Sequence, residues 1–179
     1  MKDKVALVTG ASSGIGMAVS CRLASDGYSV MAAGRDAART ADLGSQFSSV
    51  HTWVGDLTSA EACDRLIAAC VKACGRLDVL VNNAGIYHAV NAEETTDQIW
   101  QQTLAINLSA AFFLSRAAMP YLRQSKGVIV NIASDWGLVG GRNAVAYCAS
   151  KGGLVLMSKA MALDHAAEGV RINAVCPGD

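Results

Sequence analysis

The sequence of 179 residues lacks an excess of charge of either sign, since fifteen lysines and arginines balance fifteen aspartates and glutamates. Binding a phosphate backbone or an anionic bilayer needs a basic excess on one face, so neither nucleic acid nor a membrane surface is an expected partner. There is no Cys-x-x-Cys pair among the six cysteines (Cys21, Cys63, Cys70, Cys74, Cys148, Cys176), and His51 is the only histidine near the group at 63–74. No metal site is expected, and thiols at core spacing among alanines read as packing residues of a reducing compartment. No apolar run is long enough to span a bilayer, because Arg116 interrupts the most apolar later stretch. Lys2 and Lys4 precede only a short apolar run that ends in glycine and serine, which is not a signal-peptide core. These absences predict a cytoplasmic protein with a small-molecule partner. No linker or low-complexity segment interrupts the chain, and 52% hydrophobic residues suffice for one substantial core, so 1–179 is expected to be a single domain.

What is present is arranged around Val5–Arg22. Val5, Ala6, Leu7 and Val8 form an apolar run too short for a helix and bounded at once by Thr9 and Gly10, the pattern of a strand buried on both faces. Gly10, Gly14 and Gly16 then punctuate a loop of small residues, after which Ile15, Val19 and Leu23 recur at helical spacing. Glycines let the backbone approach a ligand closely, and the first turn of a helix presents unpaired N–H groups at its positive end. With hydroxyls at Ser12 and Ser13, this strand, turn and helix start predict a phosphate cradle.

Strand and helix patterns alternate along the rest of the chain. Strands are expected at Tyr28–Ala33, Val50–Val54, Leu77–Val81, Val128–Ile132 and Val170–Val175. Helices are expected at Ala37–Phe47, after Thr58 or Ser59 until Gly75, over Thr96–Leu122 and over Ala144–Ala167. Such alternation predicts an α/β fold, a Rossmann-like doubly wound parallel sheet of order 3-2-1-4-5-6. Ligands bind such sheets at the carboxyl ends of the strands. The expected ends carry Gly10–Gly16, then Gly34 with Arg35, Asp56 with Leu57, Asn82–Asn83–Ala84–Gly85, Ser134, and Pro177 with Gly178. Any one of these suits an ordinary turn or cap. Six at one rim suit a dinucleotide.

Tyr147 and Lys151 are four apart on the last helix and share a face. A neighbouring ammonium favours an ionised phenol, which makes Tyr147 a general acid or base for an alcohol or carbonyl. An isolated pair of this spacing suits a solvated helix face equally well. The context decides between them. Thr9-Gly-Ala-Ser-Ser-Gly-Ile-Gly16, Asn82-Asn-Ala-Gly85, Ser134 thirteen residues before Tyr147, Tyr147-x-x-x-Lys151 and Pro177-Gly178 together resemble the short-chain dehydrogenase/reductase family along the whole chain.

The resemblance implies a catalytic tetrad of Asn107, Ser134, Tyr147 and Lys151. It implies an oxidoreductase in which Tyr147 exchanges a proton with the substrate oxygen, Ser134 holds that oxygen, Lys151 contacts the nicotinamide ribose, and Asn107 positions a water. Cofactor contacts are expected from Gly10, Ser12, Ser13, Gly14, Ile15, Gly16, Arg35, Asp56, Leu57, Asn83, Ala84, Gly85, Tyr147, Lys151, Pro177 and Gly178. NADP(H) is favoured over NAD(H), because strand two ends in Gly34 and Arg35 rather than in an acid, although Asp36 adjoins. The alternatives are an epimerase or dehydratase, against which the glycine spacing and Asn-Asn-Ala-Gly argue, and a non-catalytic nucleotide-sensing module, which is expected to lose tetrad members. Asp135 stands where many relatives carry a neutral residue. Tyr87 and His88 follow Gly85 and suit either the pocket or a surface loop. Surplus apolar surface on the long helix predicts a homodimer or homotetramer. Members of the family continue past the position of Asp179 with a substrate-covering segment and a seventh strand, so these residues alone are expected to bind cofactor weakly and turn over little.

Overall fold

A computed structural model describes residues 4–178; Lys2 and Asp179 lie outside the described residues. The strands are β1 (Val5–Thr9), β2 (Ser29–Gly34), β3 (Val50–Val54), β4 (Val79–Asn82), β5 (Val128–Ile132) and β6 (Arg171–Val175), all parallel in the order β3-β2-β1-β4-β5-β6. This is the expected doubly wound sheet. Its switch point lies between β1 and β4, with Leu7 opposite both Met31 and Leu80.

Alternation along each strand sorts side chains between two helical layers. Val5, Leu7, Met31, Ala33, Leu80 and Ile129 face α3 (Ala60–Cys74) and α5 (Ala110–Ser125), meeting Leu66, Ile67, Leu114 and Leu122. Val8, Val30, Ala32 and Val81 face the opposite layer, α1 (Gly14–Ser25) and α2 (Ala37–Gln46), where they join Ala24 and Leu43. Leu7, Leu66, Leu80, Leu122 and Ile129 are wholly buried. Each contributes about 1.5–3 kcal/mol of apolar transfer, an upper figure because the unfolded chain is partly compact. Cys63 and Cys70 sit in this core, and burial pushes their thiols up to about 11 and about 12 respectively, as suits packing residues.

Helix ends follow local chemistry. Asp36, Ser59 and Thr96 cap α2, α3 and α4 (Asp97–Leu104) by accepting from the backbone N–H of Arg39, Ala62 and Ile99. Gly75 ends α3 at a φ of 79°, a left-handed turn that glycine takes without strain. β4 begins two residues later than the apolar run at Leu77. Asp78 is buried there, accepting from Val5 N–H at 2.8 Å and from the Arg76 guanidinium at 2.7 and 2.9 Å. The long helix also differs from expectation: between α4 and α5 one turn, Ala105–Ser109, is a π-helix, and α5 continues to Ser125. The last helix, α6, runs from Val145 to His165.

Candidate active site

The glycine turn is held open by side chains from β1 and β4. Thr9 Oγ1 accepts from the N–H groups of Asn83 and Ala84, both at 3.0 Å, and Asn83 Nδ2 donates to the carbonyls of Thr9 at 3.0 Å and Gly10 at 3.2 Å. Two neighbouring strands distant in sequence are thereby lashed together where the strand order reverses. A Cβ at Gly10 would lie 2.8 Å from Asn83 Nδ2, and one at Gly16 would overlap the Gly10 carbonyl, so both positions require glycine. Gly14 differs. Its φ is +51° and open space stands in front of it. Ser13 makes no capping bond to α1, in contrast to the caps of α2, α3 and α4, so the first N–H groups of this helix remain for a ligand.

In front of the turn lies a cavity of about 430 Å³. Ser12, Ser13, Ile15, Arg35, Asp56, Leu57, Asn83, Ala84 and Gly85 all line it with Gly10 and Gly14, as does Arg39, which the sequence did not single out. Arg39 pairs with Asp36 at 3.4 Å. Asp56 Oδ1 accepts from Thr58 N–H at 2.9 Å, so it forms a turn as well as part of the wall. Gly16 lies behind the turn rather than in the wall. The glycines, the uncapped helix and the elongated cavity fit a dinucleotide.

A second recess of about 250 Å³ shares Ile15, Asn83 and Gly85 with the first and adds Ser134, Tyr147, Lys151 and Pro177. Three members of the expected tetrad therefore meet in a recess that adjoins the cavity at the glycine turn. Lys151 is 4% exposed, donates to the Ile132 carbonyl at 2.7 Å, and has Nζ 5.6 Å from the centroid of the Tyr147 ring. Burial lowers its pKa from 10.5 to about 8, with nearby Cys176 opposing the shift. Ser134 caps a short 3₁₀ turn, Asp135–Gly137, and its hydroxyl donates to Asp135 Oδ1 at 3.0 Å. Tyr87 and Trp136 meet the Tyr147 ring edge to face at 5.3 and 6.2 Å between centroids. Tyr87 thus belongs to the recess, whereas His88 is exposed and is not part of its lining.

Asn107 stands one layer behind this recess, in the middle of the π turn. Its Oδ1 accepts from Ile86 N–H at 2.8 Å, and Nδ2 donates to Ile86 C=O at 2.9 Å and to Ser150 Oγ at 3.1 Å. Ser150 in turn donates to the Tyr147 carbonyl at 2.7 Å. Asn107 therefore clamps the segment after Gly85 and, through Ser150, ties it to the start of α6. Gly178 lies at the edge, where an added Cβ would be 3.4 Å from Asp135 Oδ2. Thr9, Trp136 and Ser150 escaped the sequence reading. Thr9 had a signal in its place before Gly10, while Ser150 and Trp136 carry none that spacing reveals. Among the described residues no group of three His, Cys, Asp or Glu side chains is placed to hold a metal. No described helix is long and apolar enough to cross a membrane.

Comparison with known proteins identifies relatives over almost the whole chain. A family model described as short chain dehydrogenase matches residues 4–179. A meso-2,3-butanediol dehydrogenase of Serratia marcescens is 37% identical, over 98% of this chain and 70% of its own length. An L-fucose dehydrogenase of Mus musculus is 39% identical, over 98% of this chain and 65% of its own. The chain thus spans roughly two thirds of the length of the curated relatives it matches. The crystal structure of a short chain dehydrogenase from Mycobacterium smegmatis superposes with a TM-score of 0.93 at 37% identity, covering 99% of this chain and 77% of that one.

Proposed function

Because this chain belongs to the short-chain dehydrogenase family, we propose that it is an oxidoreductase that moves a hydride between a nicotinamide cofactor and an alcohol or carbonyl carbon. The observation that carries the reading is the adjacency of two recesses: the one with Ser134, Tyr147 and Lys151 shares Ile15, Asn83 and Gly85 with the one at the glycine turn. The nicotinamide, when bound, supplies the carbon that accepts or gives the hydride. The turn Gly10–Gly16 and the free N–H groups of α1 hold the pyrophosphate, while Asp56 and Leu57 border the far end. Tyr147 takes the proton of an alcohol during oxidation and returns it to a carbonyl oxygen during reduction. Ser134 fixes the same oxygen. The Lys151 ammonium stands 5.6 Å from the centroid of the Tyr147 ring, in the lining of the same recess. Asn107 keeps Ile86 and the α6 start in register, and with them the wall facing Tyr147.

The cofactor we favour is NADP(H), since Arg35 lines the cavity beyond Gly34 and can pair with a 2′-phosphate, with Arg39 nearby. The working form we infer is a homodimer or homotetramer. Phe112 on α5 and Leu156 and Leu163 on α6 are 39, 67 and 82% exposed, an apolar surface that symmetric pairing buries. A monomeric mass by light scattering at micromolar concentration counts against it.

The test of the chemistry is Tyr147→Phe in the purified enzyme. Turnover of its best alcohol should fall by about 10²–10⁴, the usual contribution of general acid–base catalysis, while cofactor affinity stays within about twofold. Comparable turnover by the phenylalanine variant refutes the assignment.

A further inference from the structure

The carboxylate of Asp135 stands directly behind the serine that holds the substrate oxygen. Oδ1 accepts from Ser134 Oγ at 3.0 Å and from Trp136 N–H at 2.7 Å. The backbone N–H of Asp135 donates to the Pro177 carbonyl at 3.0 Å, and Oδ2, turned toward Gly178, has no hydrogen-bond partner among the described residues. The group is half-buried, its backbone N–H ties the loop that follows β5 to the one that follows β6, and its carboxylate reaches the recess through Ser134, which lines it. Lys151 is the sole lysine or arginine in the described lining, and its ammonium is turned to the Ile132 carbonyl and the Tyr147 ring.

From this placement we infer that Asp135 makes the site reject substrates with a carboxylate or other anion beside the reacting carbon, so that its substrates are uncharged alcohols and ketones. The inference rests on the oxidoreductase reading above. Two successive hydrogen bonds, 3.0 Å from Asp135 Oδ1 to Ser134 Oγ and about 2.8 Å on to the substrate oxygen, put an anion two or three bonds further on at about 7 Å from Asp135. With an effective dielectric near 20, repulsion at that distance weakens binding by up to about fiftyfold, and partial exposure and salt reduce this to about tenfold. A neutral substrate of the same shape feels no such term. The bland account, in which Asp135 only caps the 3₁₀ turn, needs the oxygen but not the charge. Asparagine would serve it equally well.

That difference defines the experiment. The probes are 3-hydroxybutanoate and its methyl ester, offered to the purified cofactor-loaded enzyme. Dissociation constants are read by ligand NMR, and kcat/KM is measured where turnover occurs. The wild type should prefer the ester at least about tenfold. In Asp135→Asn the preference should shrink by about tenfold, while Asp135→Glu should retain it; taking the ratio within each variant cancels any general loss from disturbing Ser134. An ester-to-acid ratio that is the same in the wild type and Asp135→Asn overturns the inference, as does a failure of the wild type to distinguish the probes, including failure to bind both. Failure of the broader reading has another signature. It is the absence of cofactor-dependent turnover of any alcohol, whatever the ratio of dissociation constants.

Discussion

Lys151→Met should stabilise the protein at pH 7 while removing its activity. In the native state Lys151 is 4% exposed and burial lowers its pKa from 10.5 to about 8. Between those values the unfolded chain binds the extra proton, so the stability contributed by this group rises with pH from about 8 to 10.5. Below 8 the native state bears the whole cost of a buried ammonium, about 3 kcal/mol for the interval. Methionine has similar length and no charge, and it fills the same channel. It forfeits the bond to the Ile132 carbonyl, a charged hydrogen bond of about 1.5–3 kcal/mol. The balance leaves the variant about 1 kcal/mol more stable at pH 7, which raises Tm by about 2–4 °C for a domain of this size. Calorimetry of the cofactor-free protein at pH 7 and pH 10 checks both the sign and its pH dependence. As the wild type sheds its proton, the advantage of the variant should vanish or reverse by pH 10. A variant less stable than the wild type at pH 7, or a gap that does not move with pH, refutes the claim that this lysine is held against its own solvation.

Three further outcomes are expected. Gly16→Ala places a Cβ against the Gly10 carbonyl and the Asn83 amide, both parts of the cradle; it should cost about 2–3 kcal/mol of stability and weaken cofactor binding at least tenfold, as denaturant titration and calorimetry will show. Asp78→Ala strips the partner from Val5 N–H and the buried half of the Arg76 pair, and should lower stability by about 2–3 kcal/mol as read from the urea midpoint; Arg76 is itself about half exposed, so little of this comes from the ion pair. Arg35→Glu should lower NADP(H) affinity more than tenfold with little effect on NAD(H), and tighter binding of NAD(H) than NADP(H) by the wild type rejects the proposed preference.

The strand order was legible because each strand is a short run rich in Val, Ile, Leu or Ala, continuous in β1 and interrupted by polar residues in β3 and β6, with a helix between it and the next. Right-handed crossovers leave few ways to assemble such units. The glycine turn stood out by its own pattern, whereas Asn83, Ser134 and the Tyr147–Lys151 pair were singled out together by the family resemblance, and the structure brings Ser134, Tyr147 and Lys151 to one recess. Boundaries slipped where a side chain intervened. Asp78, whose carboxylate accepts from Val5 N–H, stands where the apolar run at Leu77 was expected to begin β4, whereas the caps at Ser59 and Thr96 fall where the sequence put them.

The sequence by itself determined an α/β sheet with its polar strand ends at one rim, since period and composition act locally along the chain. Only the tertiary structure decided what those ends do to one another. The π turn at Ala105–Ser109 aims Asn107 at Ile86 and Ser150, residues 21 and 43 positions away. Thr9 meets Asn83 and Ala84 across the switch point, 74 and 75 positions away. Lys151 loses its water because β5 and the Tyr147 ring close over it, and Asp135 meets Ser134 while its N–H reaches the Pro177 carbonyl, 42 positions away. Burial and hydrogen-bond direction are properties of packed neighbours, and distant neighbours leave no periodic trace in one sequence.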